Sequence, residues 1–358
     1  MEIPLEKVVT FTYSERLKIR IVRWQGDLMT QLINESQSNS IDNRLNRRAF
    51  LKLCGMLAAT LALPVSYTDR IAKALTTAIR LPVIWLEFQD CTGDTESFLR
   101  ASRRQDPIQS GVTDPSITDL LLDVLSLDYH ETIMAPSGAM SEKSLNDTIQ
   151  NYSGQYICVV EGSIPTANNG VYCTIRGRTA LSIAQQVLPG ARAVVALGAC
   201  ATDGGLAAAL PNFTGAVGVK EAVPGLSNFV ALPGCPANVV NIVATIVYLL
   251  TFDQLPDRDS TGRPYFAYGE EIHEECERHD FYEEEKFVLA WGDEGHKEGW
   301  CLFKMGCKGP GTKHNCPQVK WNDGTCWPVA AGHGCIGCAA PHFWDTLSPF
   351  YQPLPDDD

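Results

Sequence analysis

The chain has 358 residues, of which 45% are hydrophobic and 20% charged, and its formal net charge at pH 7 is −13. This length predicts about two domains with cores large enough to fold without disulfides, and the acidic balance argues against a nucleic-acid partner. No run of 18 apolar residues is free of charged residues, so we expect no transmembrane helix. The 13 cysteines cluster towards the C-terminal end beside Gly and Pro, which favours metal binding over disulfides.

We interpret residues 1–80 as an N-terminal extension. Arg47 and Arg48 precede an apolar run, an arrangement typical of a twin-arginine export signal. The long stretch before this pair is unusual for such a signal, and Asp69 and Arg70 interrupt the apolar stretch. A retained amphipathic helix that packs on a partner is therefore favoured, with a cytoplasmic location. A functional signal would instead place the protein in the periplasm or at the membrane.

Residues 81–260 alternate between short apolar runs and helical patterns. Continuous Val, Ile and Leu runs are typical of strands that are buried on both faces, so the pattern predicts an α/β fold with a doubly wound parallel sheet. The main strand candidates are residues 82–88, 156–162, 192–200 and 228–235. The glycines do not form the G-x-G-x-x-G pattern, so a dinucleotide site has little support.

Three of these predicted strands run into a cysteine, namely Cys91, Cys200 and Cys235. Ligand sites of open α/β sheets lie at the carboxyl ends of the strands, so we expect the three thiols to meet and hold a metal cluster. Asp94, three residues after Cys91, is the candidate for a fourth ligand, since iron accepts carboxylate oxygen. The alternative role for Asp94 is a helix N-cap.

Residues 271–338 contain seven of the cysteines together with His273. His273 and Cys276 form an H-x-x-C pair, and the other six thiols are those of Cys301, Cys307, Cys316, Cys326, Cys335 and Cys338. A structural zinc takes four ligands, so this set is larger than one zinc needs and favours two iron–sulfur clusters. A zinc-binding interaction protein is the alternative. The remaining thiols, Cys54, Cys158 and Cys173, are interpreted as structural.

Together these residues resemble the small, electron-transferring subunit of nickel–iron hydrogenases, over roughly residues 81–345. The resemblance rests on CTGD followed by ESF, on the VEG strand, on the GAC and LPGCP loops, on LTFDQLPDRDSTGRP, and on IHEEC, CLFKMGCKGP and GHGCIGC. It implies an α/β fold in which a flavodoxin-like doubly wound parallel sheet over residues 81–260 carries one cluster. A largely irregular, helix-containing domain over residues 261–358 carries the others.

The resemblance implies three iron–sulfur clusters. A proximal 4Fe-4S cluster would be held by Cys91, Asp94, Cys200 and Cys235, and a distal 4Fe-4S cluster by His273, Cys276, Cys301 and Cys307. A medial cluster would be held by Cys316, Cys335 and Cys338. In many relatives a proline occupies the place of the fourth medial ligand and the cluster has three irons. Pro328 stands in that place, which implies a 3Fe-4S cluster, whereas Cys326 would give 4Fe-4S if it is a ligand.

Asp94 stands where most of the family has cysteine. This substitution resembles an actinobacterial-type branch that is noted for oxygen tolerance. Another oxygen-tolerant branch has two additional cysteines, and their places are taken here by Gly93 and Gly205, so we do not expect its specialised cluster. Glu96 and Glu161 are expected to flank the proximal cluster.

The function that this resemblance implies is electron relay. A large subunit splits hydrogen at a nickel–iron centre, and this chain passes the electrons through its clusters to an external acceptor. No catalytic residue is expected in this chain, the large subunit is obligatory, and a higher oligomer of heterodimers is expected. The alternative is a stand-alone iron–sulfur carrier or a redox sensor.

Overall fold

The computed structural model describes residues 47–77, 80–100, 125–321 and 324–355. Five parallel strands form its main sheet: β1 (Leu81–Glu87), β2 (Leu125–His130), β3 (Ile157–Glu161), β4 (Ala193–Leu197) and β5 (Phe229–Leu232). Their spatial order is β2-β1-β3-β4-β5, which is the order of flavodoxin-like folds. The predicted doubly wound parallel sheet is therefore confirmed.

Helices connect these strands and cover both faces of the sheet. In chain order they are α1 (Arg47–Thr60), α2 (Thr68–Thr77), α3 (Gly93–Leu99), α4 (Ala139–Asn151), α5 (Ala180–Val187), α6 (Gly198–Asp203), α7 (Gly205–Ala208), α8 (Val219–Ala222), α9 (Val239–Phe252), α10 (Tyr265–Tyr268), α11 (His279–Glu283), α12 (Glu294–Lys297), α13 (Cys316–Val319) and α14 (Phe343–Thr346). Short 3-10 helices lie at Val65–Tyr67, Ala167–Gly170, Leu188–Gly190, Phe303–Met305 and Gly309–Gly311. Two short antiparallel pairs join Ile164–Pro165 to Ala216–Val217 and Thr174–Ile175 to Arg178–Thr179.

The sheet separates two hydrophobic cores. Successive side chains of a strand point to opposite faces, so Val83 and Trp85 enter one core while Ile84 and Leu86 enter the other. The first core contains α9, and the second contains α5. Both faces of β1 and β3 are buried, which explains their unbroken apolar sequences.

Helices α1 and α2 pack against α9 and complete the first core. Leu57 and Ile71 are buried among its residues, and the Arg70 guanidinium lies 4.5 Å from the ring centroid of Phe252. Cys54 is fully buried here, as expected of a structural thiol. One face of this segment therefore packs on the chain itself, and its expected packing on a partner stays a prediction. Residues 1–46 lie outside the described residues, as do the side chains of the arginine pair.

The part of the chain after α9 adds no strand to the main sheet among the residues that the structure describes. Short helices, turns and isolated bridges form it, with bridges such as Glu271–Lys313 and Phe287–Cys301. Reciprocal side-chain hydrogen bonds of 2.9 and 3.0 Å between Asn241 and Asn315 connect this part to α9. The expected irregular, helix-containing architecture is confirmed. No described helix is both long enough and apolar enough to span a bilayer.

Candidate iron–sulfur sites

The three strand-end cysteines lie at one edge of the sheet, as the sequence predicts. Cys91 follows β1, Cys200 lies in α6 directly after β4, and Cys235 follows β5. Burial raises the pKa of Cys200 to about 12, and the nearby charges of Cys235, Asp94 and Cys91 add to that rise. The four predicted proximal ligands are therefore electrostatic neighbours.

The Asp94 carboxylate is directed at the loop after β5, not at its own helix. The backbone N–H of Ala237 donates to Asp94 Oδ1 at 2.6 Å, and the N-cap position of α3 is Thr92. The alternative role of Asp94 as an N-cap is therefore wrong. Burial raises the pKa of Asp94 to about 7; the Ala237 hydrogen bond opposes this rise, and the charges of Glu161 and Asp90 add to it.

Gly198 makes room for this carboxylate. Its φ is +75°, and a Cβ built at this position would lie 2.3 Å from Asp94 Oδ2. A side chain at position 198 is therefore excluded twice, by the left-handed backbone and by contact with Asp94. The glycine of the GAC loop is explained by the close approach of the Asp94 carboxylate.

Glu161, at the end of β3, fixes the loop that carries Asp94. Its carboxylate accepts hydrogen bonds from the backbone N–H of Asp94 at 2.9 Å, from the N–H and hydroxyl of Thr95, and from Trp85 Nε1 at 3.0 Å. The expected place of Glu161 beside the proximal site is confirmed. Glu96 is exposed and pairs with Arg100 at 2.9 Å, so its expected place beside the site stays a prediction.

A buried polar network that sequence reasoning missed lies behind this loop. Thr95 Oγ1 lies 3.2 Å from His130 Nε2, and His130 Nδ1 lies 3.3 Å from Glu87 Oε2. Oxygens of Glu87, Asp90 and Glu161 lie within 4.8 Å of one another. The oxygens of Glu161 already accept hydrogen bonds. A cation bound between these three carboxylates would therefore have to displace the donors of those hydrogen bonds. The members come from the ends of β1, β2 and β3, from the loop after β1 and from α3, which is why local patterns do not reveal the network.

The four predicted distal ligands line one cavity. His273, Cys276, Cys301 and Cys307 share its wall with Ile272, Arg278, Phe303 and Val329. Burial lowers the pKa of His273, with a further contribution from His279, which favours the neutral imidazole that metals bind. The ring of Tyr282 packs edge-on against His273 with the ring centroids 4.5 Å apart, and so holds its orientation.

Arg278 is a buried cation beside this cavity that sequence reasoning also missed. It is 8% exposed, and its Nη1 donates to the carbonyl of Trp300 at 2.8 Å. Its charge opposes the burial-driven rise in the pKa values of Cys276 and Cys301, each of which is about 11. The only sequence signal was a basic residue two positions after Cys276.

The three predicted medial ligands also come together. Burial raises the pKa of Cys335, and the charges of Cys307, Cys338 and Cys316 add to the rise. The Cys326 thiol instead donates to the carbonyl of Trp327 at 3.4 Å. The backbone carbonyl of Pro328 accepts a hydrogen bond from His333 at 2.9 Å.

The three groups of ligands form one continuous series. Cys335 N–H donates to Cys307 Sγ at 3.3 Å, and Lys308 N–H donates to the Cys335 carbonyl at 2.7 Å, which joins the medial group to the distal group. Burial raises the pKa of Cys338, and a hydrogen bond from the backbone of Cys235 opposes this rise. That hydrogen bond joins the proximal group to the medial group. The medial ligands therefore lie between the other two groups.

The spacing of the thiols distinguishes a cluster from a single zinc ion. In a tetrahedral zinc site with Zn–S bonds of about 2.3 Å, the sulfurs lie about 3.8 Å apart. Among the described residues, the trio with ligand atoms within 4.8 Å of one another consists of carboxylates. Since no three of the described thiols lie within this distance of one another, they fit a polynuclear cluster, in which different irons bind different thiolates, better than one zinc ion. The donor sets therefore fit iron–sulfur clusters, and Cys158 and Cys173 lie apart from these sets.

Two family models match the chain. Residues 268–351 match the model for the C-terminal part of the NiFe/NiFeSe hydrogenase small subunit, and residues 91–249 match that for the NADH ubiquinone oxidoreductase 20 Kd subunit. The periplasmic NiFe hydrogenase small subunit 1 of Nitratidesulfovibrio vulgaris Hildenborough is 44% identical over 309 residues, which cover 86% of this chain and 93% of that protein. The chain belongs to the family of NiFe hydrogenase small subunits.

Solved structures support this assignment. The NiFeSe hydrogenase of Desulfomicrobium baculatum has a TM-score of 0.67 and 33% identity, covering 77% of this chain and all of that chain. The actinobacterial-type NiFe hydrogenase of Ralstonia eutropha H16 has a TM-score of 0.66 and 25% identity. The match covers 78% of this chain and 84% of that chain. As a hydrogenase small subunit, this chain is the electron-transferring partner of a large subunit, and its family implies iron–sulfur clusters.

Proposed function

We propose that this subunit serves hydrogen oxidation by holding three iron–sulfur clusters in series between the large subunit and an external acceptor. When bound, the clusters supply one-electron transfer. The observation that supports this proposal is the continuous series of ligand groups. It runs from the strand ends, through the backbone contacts of Cys235 with Cys338 and of Cys335 with Cys307, to the half-buried His273.

The proximal group would be held by Cys91, Asp94, Cys200 and Cys235 around a 4Fe-4S cluster. The proximity of Asp94 to two of the three thiols supports this role, because its charge adds to the rise in the pKa values of Cys200 and Cys235. In Asp94→Cys, we expect the spectrum and potential of the proximal cluster to change while those of the other clusters stay the same. An unchanged proximal cluster would show that Asp94 is not a ligand.

The distal group would hold a 4Fe-4S cluster through His273, Cys276, Cys301 and Cys307. A neutral nitrogen donor in place of thiolate lowers the negative charge of the site and raises its potential. The buried Arg278 acts in the same direction, because its positive charge favours the extra electron. The medial group would hold a 3Fe-4S cluster through Cys316, Cys335 and Cys338, since the Cys326 thiol is engaged with the carbonyl of Trp327.

Exposed apolar side chains that follow the proximal ligand Cys200 in the chain support contact with the large subunit at this edge. Leu206, Leu210 and Phe213 follow Cys200 closely and are 58%, 79% and 82% exposed. Apolar groups exposed together are typical of a protein interface. A stand-alone electron carrier would have no use for such a surface beside its cluster, so the carrier hypothesis is the weaker one.

Asp94 also underlies the proposed likeness to the actinobacterial-type, oxygen-tolerant branch.

We further propose that residues 47–77 are retained in the mature chain, because they complete the first core, and that the complex is a cytoplasmic oligomer of heterodimers. N-terminal sequencing of the purified chain and cell fractionation test retention and location, and light scattering gives the mass of the assembly.

The relay is tested with the complex co-purified with its large subunit. We expect hydrogen-dependent dye reduction, and iron matching two four-iron clusters and one three-iron cluster in this chain. In Cys301→Ser, dye reduction should fall while isotope exchange between D2 and water persists, because the large subunit alone activates hydrogen. A colourless complex that contains zinc but no iron or nickel would contradict the proposal.

A further inference from the structure

His314 is a buried imidazole whose hydrogen-bonding groups are unsatisfied in the described part of the chain. The residue is 3% exposed, and neither Nδ1 nor Nε2 has a hydrogen-bond partner. An imidazole carries at least one N–H donor in both its neutral and its charged form. A buried donor without an acceptor is unfavourable, so this site is built for an acceptor that is not one of these protein groups.

The surroundings of His314 place it at the medial ligands. It is two residues before Cys316, and its ring packs edge-on against Tyr268 with the centroids 5.1 Å apart and the planes at 84°. Besides burial, the charges of Cys316 and then of Cys338 raise the pKa of Tyr268. His314 therefore packs against a tyrosine that lies within electrostatic range of two of the three medial thiols and of Asp94.

The segment that carries His314 is held in place from both sides. Asn315 N–H donates to the Ala267 carbonyl at 2.9 Å, and the Asn315 amide forms its reciprocal pair with Asn241. On the other side, Ile272 N–H donates to the Thr312 carbonyl at 2.8 Å. Tyr268 is itself fixed, because its hydroxyl donates to the Pro233 carbonyl at 2.8 Å. These contacts oppose rotation of the imidazole towards solvent.

We infer that the His314 ring donates an N–H hydrogen bond to a sulfur atom of the medial cluster and thereby sets its reduction potential. The inference rests on the proposed function, which places a cluster there. The sulfurs of a cluster become more negative on reduction, so an N–H donor stabilises the reduced form more than the oxidised form and raises the potential. His314 is thus a tuning residue rather than a ligand.

The direct test is pulsed EPR on the oxidised heterodimer. An oxidised 3Fe-4S cluster is paramagnetic, whereas oxidised 4Fe-4S clusters are not, so the nitrogen ligand His273 does not contribute to the signal. We expect a histidine nitrogen coupling that changes on labelling with 15N-histidine and is lost in His314→Asn. A medial signal without any histidine coupling would overturn the inference and leave the proposed function intact.

Redox titration supplies the second test. In His314→Phe, which keeps a ring but removes the donor, the medial potential should fall while the proximal and distal potentials stay unchanged. Lys313→Gln is the matched control, since Lys313 is exposed on the same segment, and it should leave all three potentials unchanged. An unchanged medial potential in His314→Phe would overturn the inference. If His314→Phe does not assemble, the labelling experiment on the unaltered protein decides. The absence of any medial cluster would instead contradict the proposed function.

Discussion

The proximal ligands and the medial and distal ligands are positioned by different means. The proximal ligands stand at the ends of regular strands, and hydrogen bonds from Ala237 and to Glu161 fix the loop of Asp94. The other ligands stand in short helices and turns, where cysteines are themselves part of the hydrophobic cluster around Trp327 and Val329. We therefore expect the sheet to fold independently of its metal and the C-terminal part to depend on bound clusters for its structure.

Removing the clusters should have the largest effect on stability, and the loss of structure should be confined to the C-terminal part of the chain. Chelation of iron under reducing conditions should speed amide exchange in residues 271–338 by about 100-fold or more, because binding energy there is folding energy. Amides of β1, β3 and β4 should stay protected. Hydrogen exchange with mass spectrometry measures both regions. An equal loss of protection in the sheet would show that the sheet also depends on the clusters.

A charged residue buried in α1 should have the next largest effect. It should destabilise the first core, and with it the sheet. Leu57 is 3% exposed in the first core, so Leu57→Asp should lower the free energy of unfolding by about 4 kcal/mol. Met56 is 54% exposed on the same helix, and Met56→Asp should change it by no more than about 0.5 kcal/mol. Chemical denaturation compares the two. Similar losses would mean that α1 does not pack in this core.

A methyl group at Gly198 should disturb the proximal site alone. Gly198→Ala combines a positive φ with a contact to Asp94, so the proximal cluster should be lost while the EPR signals of the other clusters remain. Gly177→Ala is the matched control, because Gly177 also has a positive φ (+76°) but nothing lies within 4 Å of the added Cβ. That control should cost only about 1 kcal/mol. Normal proximal iron in Gly198→Ala would rule out the contact with Asp94 as the reason for this glycine.

The smallest expected effect is that of Cys326→Ser. Because the Cys326 thiol contacts the Trp327 carbonyl, the EPR signal of the oxidised medial cluster should be unchanged. Cys335→Ser, in the same part of the chain, should abolish that signal. A change of cluster type in Cys326→Ser would make Cys326 a fourth medial ligand.

The sheet and the ligand groups could be predicted from the sequence because both follow local rules. Buried parallel strands have unbroken apolar sequences, and parallel strands deliver their ends to one edge. The role of Asp94 stayed open, since Asp suits both a helix N-cap and a ligand, and its partner Ala237 is 143 residues away. Arg278, His314 and the carboxylate network could not be predicted for the same reason, as burial and distant partners define them.

The packing of α1 on α9 has a consequence for synthesis. Roughly 190 residues separate the starts of these helices (Arg47 and Val239), and at about 5–20 residues per second the second emerges roughly 10–40 s after the first. During that interval the apolar face with Leu53 and Leu57 has no native surface to cover it. The apolar face of the segment that resembles an export signal is therefore open to recognition in the nascent chain and is covered once the sheet is complete.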